Sequence, residues 1–308
     1  MRSTKFSGQL DHSHLGERLK MEPFAISGIS FMPEMWKEKA NLKTLLGHID
    51  VAAEEGAQVI ASCEGVLDGY ITKELPKHRI QPGTEKTRGY AQRVAKFRKR
   101  QESLAERIKK NCIPVLQKKA AEHQVHLFIN TLDLRRKQAV YNTTFVIDPN
   151  GEIIGKYDKI HAAFEVVNKL GKGYPVFKTP YANIGVIVCA DRQFPETARA
   201  VALGGANVLI INSYGMWGEG ANERFIRQRA YENGLYLLFC HPNETVLCSP
   251  EGRVIASTCP WENVLIRKID PEPAVGRGLF GNREMAQTYS IIGDPSAYTS
   301  RKKKKKGK

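Results

Sequence analysis

Cys189, Glu64 and Lys159 are the residues of this 308-residue chain whose types and settings could do chemistry together. Cys189 closes the run Ile184-Gly-Val-Ile-Val-Cys189, whose β-branched residues around one glycine describe a buried strand. Ala190-Asp-Arg-Gln-Phe-Pro-Glu196 follows, and Pro195 is a good first residue for a helix. A thiol at such a corner projects from a sheet edge, with backbone N–H groups turned toward whatever it attacks. By itself, a cysteine there is equally a small buried hydrophobe. Glu64 ends the apolar run Ala57-Gln-Val-Ile-Ala-Ser-Cys-Glu64 and precedes a Gly-rich loop to Tyr70. A buried carboxylate needs a partner or a task, and a salt bridge or a helix cap would serve as the partner. Lys159 ends a strand that leaves the Pro149-Asn150-Gly151 turn, although a lone lysine is ordinarily a surface residue.

Together the three have a chemical purpose. A thiol near its normal pKa is mostly protonated at neutral pH and needs a base. A carboxylate in a low-dielectric pocket is suited to take that proton and return it to a leaving amine. An ammonium beside the thiol favours the thiolate and stabilises the oxyanion of a tetrahedral intermediate. This chemistry calls for no metal and no cofactor.

The chain resembles the nitrilase, or carbon–nitrogen hydrolase, superfamily from about Phe24 to Asp270. The resemblance rests on several motifs in order: Cys63-Glu64 with Asp68-Gly69-Tyr70, Tyr141-Asn142-Thr143, Tyr157-Asp158-Lys159-Ile160-His161, Cys189-Ala190-Asp191 with Phe194-Pro195-Glu196 and Arg199, Gly205-Ala206-Asn207, and Arg229-Ala-Tyr-Glu-Asn-Gly234. It implies a Glu64–Lys159–Cys189 triad and a second glutamate near the lysine. Glu165 is the only glutamate between Lys159 and Cys189. It further implies a single-domain α/β fold, a four-layer α-β-β-α sandwich, and a homodimer or higher homo-oligomer paired through the helices after the nucleophile. The expected substrate is a small amide or N-carbamoyl compound, hydrolysed through a cysteine thioester with the Ala190 N–H in the oxyanion hole.

Nitrilases usually carry Trp-Glu after the cysteine. Ala190-Asp191 favours an amide, ureide or carbamoyl substrate over a nitrile. N-carbamoyl amino acid hydrolases tend to have two arginines where this chain has Arg192-Gln193. Arg192 could bind a substrate carboxylate bidentately or form a structural salt bridge. Tyr70, Phe164, Tyr214 and Trp217 are candidate pocket aromatics, with Tyr70, Tyr214 and Trp217 the expected substrate contacts. An acyl-transferring or amidine-directed relative is the catalytic alternative.

The net charge of +15 is uneven. Residues 71–123 hold 15 Lys/Arg against 5 Asp/Glu, and the tail Arg301–Lys308 adds seven more positive charges. The rest is near neutral. A polyanion-binding protein is the non-enzymatic alternative, but aromatic-basic interleaving is missing, and a terminal lysine run reads as a solvated tail that binds polyanions weakly. Leu170-Gly-Lys-Gly-Tyr174 lacks phosphate-loop spacing. No apolar run reaches the ~18 residues of a membrane span, the N-terminus has no apolar signal core, and the six cysteines show no paired zinc spacing. A cytoplasmic enzyme is the expectation.

The elements that must position these residues are strands at 24–31, 57–63, 125–131, 139–148, 152–157, 207–212, 235–240, 244–249, 253–257 and 263–269, besides the one ending at Cys189. Helices are expected at 37–55, 195–204 and 222–232, with a charged helix at 92–111 that Pro114 breaks before a second one. This alternation implies two stacked sheets covered by helices, with no internal repeat in the sequence. Residues 1–22 read as a flexible segment, 23–270 as the hydrolase domain with a basic helical insertion at about 72–111, and 271–308 as a C-terminal extension. The insertion is expected to act as a lid or an oligomer contact, or to be a solvated surface helix.

Overall fold

The computed structural model describes residues 22–162, 164–215, 220–258 and 262–271. The expected N-terminal segment (save Glu22), the Lys-rich tail and Trp217 lie outside them.

The first half of the chain runs β1 (Phe24–Ile29), α1 (Glu38–Glu54), β2 (Val59–Ser62), α2 (Tyr90–Arg107), α3 (Ile113–His123), β3 (His126–Arg135), β4 (Ala139–Ile147) and β5 (Ile153–Asp158). The second runs β6 (Val176–Lys178), β7 (Asn183–Val188), α4 (Pro195–Leu203), β8 (Val208–Asn212), α5 (Ala221–Asn233), β9 (Tyr236–His241), β10 (Glu244–Cys248), β11 (Val254–Ser257) and β12 (Val264–Ile269). They build two six-stranded sheets, ordered β12-β1-β2-β3-β4-β5 and β11-β10-β9-β8-β7-β6. In each, three parallel strands are flanked by antiparallel ones: β1-β2-β3 and then β4-β5, β7-β8-β9 and then β10-β11. The halves therefore share a strand plan that their sequences do not display as a repeat. β2 and β8 are the middle strands of the two parallel trios.

The expected four layers are present. Alternating residues send Ile26, Val59, Ala61 and Phe128 of one sheet and Val186, Val208, Ile210 and Leu238 of the other into one shared core. The opposite faces pack under helices: Ile29, Ile60 and Leu127 join Leu45, Leu104 and Leu116, while Ile187, Leu209 and Leu237 join Val201 and Ile226. Each such side chain contributes about 1.5–3 kcal/mol by leaving water. The sheets approach closely at Gly28, where a Cβ would lie 2.5 Å from Thr245 Cγ2 and 2.9 Å from Cys240 Sγ.

One local expectation fails, and one strand was not foreseen. Pro114 does not break the helix. The backbone stays helical through a single π turn, Ile108–Cys112, and the proline falls in the first turn of α3, where no intrahelical N–H is needed. β6, three residues long, lay below the length at which alternation can be read.

Candidate functional site

The site forms where strand ends from both sheets meet. β2 ends at Ser62, and Glu64 follows with 0% exposure. Its backbone N–H donates to Ser213 O at 3.2 Å, just past the end of β8. The strand ends are also tied by Asn212 Nδ2 donating to Ser62 O at 2.6 Å and by Thr144 Oγ1 donating to Asn212 Oδ1 at 2.7 Å. Lys159 follows β5, with its N–H on Asn142 O at 2.9 Å. The loop it opens returns so closely that a Cβ on Gly171 would lie 2.1 Å from Asp158 O. That loop carries Glu165 back over the lysine.

Lys159 is 2% exposed and lies between two carboxylates. Its Nζ donates to Glu64 Oε1 at 2.6 Å and to Glu165 Oε1. Asn142 Nδ2 bridges the same pair, at 2.9 Å from Glu64 Oε1 and 3.2 Å from Glu165 Oε2. Tyr70 OH donates to Glu165 Oε1 at 3.1 Å and Asn168 Nδ2 to Glu165 Oε2 at 2.7 Å. Both oxygens of Glu165 are thus occupied by donors. Glu64 differs, because its Oε2 is buried without a partner among the described residues.

Burial raises the pKa of Glu64, and repulsion from Glu165 adds to it against the pull of Lys159 and Asn142. Burial alone would lower that of Lys159, but the adjoining Glu165 and Glu64 outweigh it and raise it well above the usual lysine range. The Tyr70 phenol is likewise pushed well up by burial and then by Glu165.

Cys189 sits immediately after β7 at φ 45°, a left-handed conformation that a non-glycine residue adopts only when its surroundings impose it. Asp191 imposes it. This carboxylate, at 0% exposure, accepts from Val188 N–H (2.9 Å) and Tyr157 OH (2.7 Å) on one oxygen and from His161 N–H (2.8 Å) on the other. The turn then enters α4 at Pro195, as the sequence implied.

Arg192 is fully buried below the turn. Its Nη1 lies 3.4 Å from Cys189 Sγ and 3.2 Å from Ser213 Oγ, and its Nη2 donates to Gly215 O (2.9 Å) and Asn222 Oδ1 (2.6 Å). Among the described residues, neither carboxylate role foreseen for it is seen in this arrangement. Both Nη atoms are held by neutral acceptors of the protein, and no carboxylate pairs with it among the described residues. Tyr214 stacks on Tyr70 with ring centroids 4.8 Å apart, and Lys73 Nζ lies 5.1 Å from the Tyr214 ring centroid. Phe164 is exposed at the rim of a cleft of about 420 Å³ whose walls include Tyr70, Pro76 and Glu165. Ala190 is half-buried beside the thiol.

Glu64, Lys159 and Glu165 are therefore in direct contact, and Cys189 joins them through Arg192 and Ser213. Asn142, Asn168 and Ser213 were not anticipated in the site. For Asn142 a signal existed, since Asn142-Thr143-Thr144 interrupts an otherwise apolar strand, and a buried amide there needs partners. Ser213 directly precedes Tyr214, a foreseen contact at the end of a strand, and Asn168 carries no signal. No cluster of potential metal ligands occurs among the described residues.

Residues 25–275 match the family model for carbon-nitrogen hydrolases. Among curated proteins, the omega-amidase NIT2 of Xenopus tropicalis is 26% identical over 276 residues, covering 82% of this chain and 90% of that one. The 2-oxoglutaramate amidase of Bacillus subtilis is 28% identical over 173 residues, covering 50% of this chain and 66% of that one. Among solved structures, Saccharomyces cerevisiae Nit3, a member of branch 10 of the nitrilase superfamily, superposes with a TM-score of 0.67 at 19% identity, over 91% of this chain and 98% of that one. An amidase from Nesterenkonia sp. gives 0.65 at 18% identity, over 86% and 96%.

Proposed function

The chain belongs to the carbon–nitrogen hydrolase family, and we propose that it hydrolyses a small amide through a thioester on Cys189, with Glu64 as acid and base and Lys159 as the oxyanion's cation. The observation that carries this is the inequality of the two carboxylates on Lys159. Glu165 has donors on both oxygens, whereas Glu64 keeps one oxygen free and has its pKa raised by burial. One carboxylate is built to hold the lysine and the other to exchange a proton.

Glu64 takes the Sγ proton as the sulfur attacks the amide carbon. The carbonyl π electrons move to oxygen, where Lys159 Nζ and the Ala190 N–H hold the charge. Glu64 passes its proton to the nitrogen, the C–N bond breaks, and ammonia or an amine leaves. Water then adds to the thioester carbon and gives its proton to Glu64. The intermediate collapses to the carboxylic acid, and the thiolate takes the proton back. Glu165 fixes Lys159 throughout, and Arg192 holds the Cys189 turn.

An amide is favoured over a nitrile by Ala190-Asp191 after the nucleophile and by relatives named as amidases. The N-carbamoyl amino acid reading loses its foreseen carboxylate anchor, because Arg192 is engaged by Gly215 and Asn222. The aromatic contacts proposed for the substrate are Tyr70 and Tyr214. Free cysteines at 63, 112, 189, 240 and 248 fit a reducing cytoplasm. A homo-oligomer paired through α4 and α5 completes the proposal, and sedimentation equilibrium at micromolar concentration tests it.

The functional test is a panel of aliphatic amides, dicarboxylate monoamides, N-carbamoyl amino acids and nitriles, followed by ammonia release, with Cys189→Ala as blank. Amide turnover that vanishes in the variant is the expected result. Turnover of nitriles alone, or equal turnover by the variant, would overturn the reading.

A further inference from the structure

α2 presents Phe97, Gln101, Leu104 and Ala105 as its buried face. Gln101 therefore occupies an apolar position, at 0% exposure, where a hydrophobic side chain would pack without the cost of burying an amide. Its Nε2 donates to Asn168 Oδ1 at 2.6 Å, and Asn168 Nδ2 donates in turn to Glu165 Oε2 at 2.7 Å. The direction of this chain is fixed from the inside. A carboxylate oxygen receiving Asn168 must face its NH2 group, which leaves the Asn168 carbonyl outward as an acceptor and requires the Gln101 NH2 to meet it. The remaining Gln101 atom, Oε1, is buried with no partner among the described residues. A buried acceptor left unmet costs about 1–3 kcal/mol, so packing alone does not account for the residue.

We infer that Gln101 is a positioning residue for the catalytic centre. From the basic helix α2 it locks the Asn168 amide, which holds Glu165 against Lys159. Asn142 of β4 and Tyr70 also donate to Glu165, but Asn168 sits on the same loop as Glu165 and takes its hold from outside that loop at Gln101. Gln101 supplies a fixed point on a helix packed against the sheet. The charged helix thus acts on the reaction from behind the site, through one side chain on its buried face. This differs from a lid over the cleft.

The inference rests on the amide-hydrolase reading, and the test separates the two. Gln101→Met keeps the length and removes the donor. Asn168→Ala removes the next link. Each is assayed with the panel amide that the wild-type enzyme turns over, or, should none be turned over, by the rate of Cys189 alkylation with acrylamide. Each variant should lower kcat, or the alkylation rate, roughly tenfold with KM changed less than about twofold, since a small misplacement of reacting groups acts on rate. Because both act on one chain, the double variant should lose little more than either single one. Thermal melting run in parallel shows that the variants are folded at assay temperature. Should Gln101→Met not fold, Gln101→Asn, too short to reach Asn168, takes its place. Unchanged kcat in folded variants, or losses that multiply in the double variant, overturns the positioning role. If Cys189→Ala keeps its turnover, the underlying reading fails instead.

Discussion

The ends of β2 and β7 make an instructive pair. Both are parallel strands, both are buried along nearly their whole length, and each runs into a cysteine. At β2 the cysteine is part of the core. Cys63 packs with Ile29, Leu45 and Leu67 under α1, and burial, then the adjacent Glu64, pushes its thiol far above the usual range. At β7 the cysteine lies on the inter-sheet side, in a left-handed turn, with a guanidinium 3.4 Å from its sulfur. Successive residues of an extended chain point to opposite faces. Alternation from Val59 and Ala61 would have sent Cys63 toward the other sheet, but the strand ends at Ser62 and the chain turns there, so Cys63 joins the helix side and Glu64 lies toward Lys159. The same residue type is core at one strand end and candidate nucleophile at the other. Register and the turn decide which.

The sharpest way to break the comparison is to remove each reactive group. Cys189→Ala should reduce turnover at least ~1000-fold, more than about 4 kcal/mol in barrier, measured as ammonia release by the folded variant. A residual rate of about one tenth would mean that the sulfur is not the nucleophile. Glu64→Gln should cost ~10²–10⁴-fold, the usual worth of a positioned acid–base. Its pH dependence is the finer measurement. A base works deprotonated, so wild-type kcat/KM should fall as pH drops through the raised pKa of Glu64, on a limb above the ordinary carboxylate range. The amide that Glu64→Gln introduces cannot titrate, so the variant's residual activity should lack that limb. If the same limb persists in the variant, another group is the base.

The loop after β2 carries a second buried carboxylate that the proposed chemistry does not use. Asp68 accepts from Ile71 N–H at 3.3 Å and Thr131 Oγ1 at 3.1 Å, and burial raises it from the ordinary 3.8 to about 6. For an acid raised in the folded state, the stability contribution is complete below the unfolded value and lost as pH rises through the folded one. Wild-type stability should therefore decline between about pH 4 and 7 on account of this group. Asp68→Asn should remove that slope and stabilise the fold at pH ~8 by on the order of 2–3 kcal/mol, at ~1.4 kcal/mol per pH unit of the gap. Urea melts at about pH 5 and pH 8, on either side of that window, decide it. An Asp68→Asn protein less stable than wild type at the higher pH contradicts the assignment.

Two of the strand ends proposed to carry the chemistry were legible because each is an apolar run closed by one reactive residue. Glu64 and Cys189 announced themselves that way, Lys159 was picked out by its company with them and by the family resemblance, and the four layers followed from the alternation of strands and helices together with that resemblance. What stayed hidden depends on contacts between elements far apart in the chain. Arg192 read as a substrate anchor or a structural salt bridge through its likeness to the N-carbamoyl amino acid hydrolases, while its acceptors Gly215 and Asn222 lie 23 and 30 residues away. Gln101 was unreadable for the same reason, since its partner is 67 residues on. The likeness of the two halves escaped too, because strand order conserves hydrogen-bonding partners and leaves side chains free to differ.

The smallest expected effect sharpens the comparison most. Cys63→Ala removes a buried sulfur whose one side-chain hydrogen bond among the described residues is a weak one, Sγ to Phe31 O at 3.8 Å. The loss is that of a small hydrophobe, about 1–2 kcal/mol of stability. Because Cys63 packs on the helix side of the sheet, the removal should leave the Glu64 backbone bond to Ser213 intact and kcat within about twofold of wild type. Melting curves and ammonia release on the same preparation test both halves of this statement. If kcat fell tenfold while the melt was unchanged, the helix-side face of the β2 end would be coupled to the chemistry, and the division between an inert strand end and a reactive one would fail. With kcat preserved, the same substitution that silences β7 is tolerated at β2, which ties the reactivity of a strand-end thiol to its place in the φ 45° turn beside Arg192.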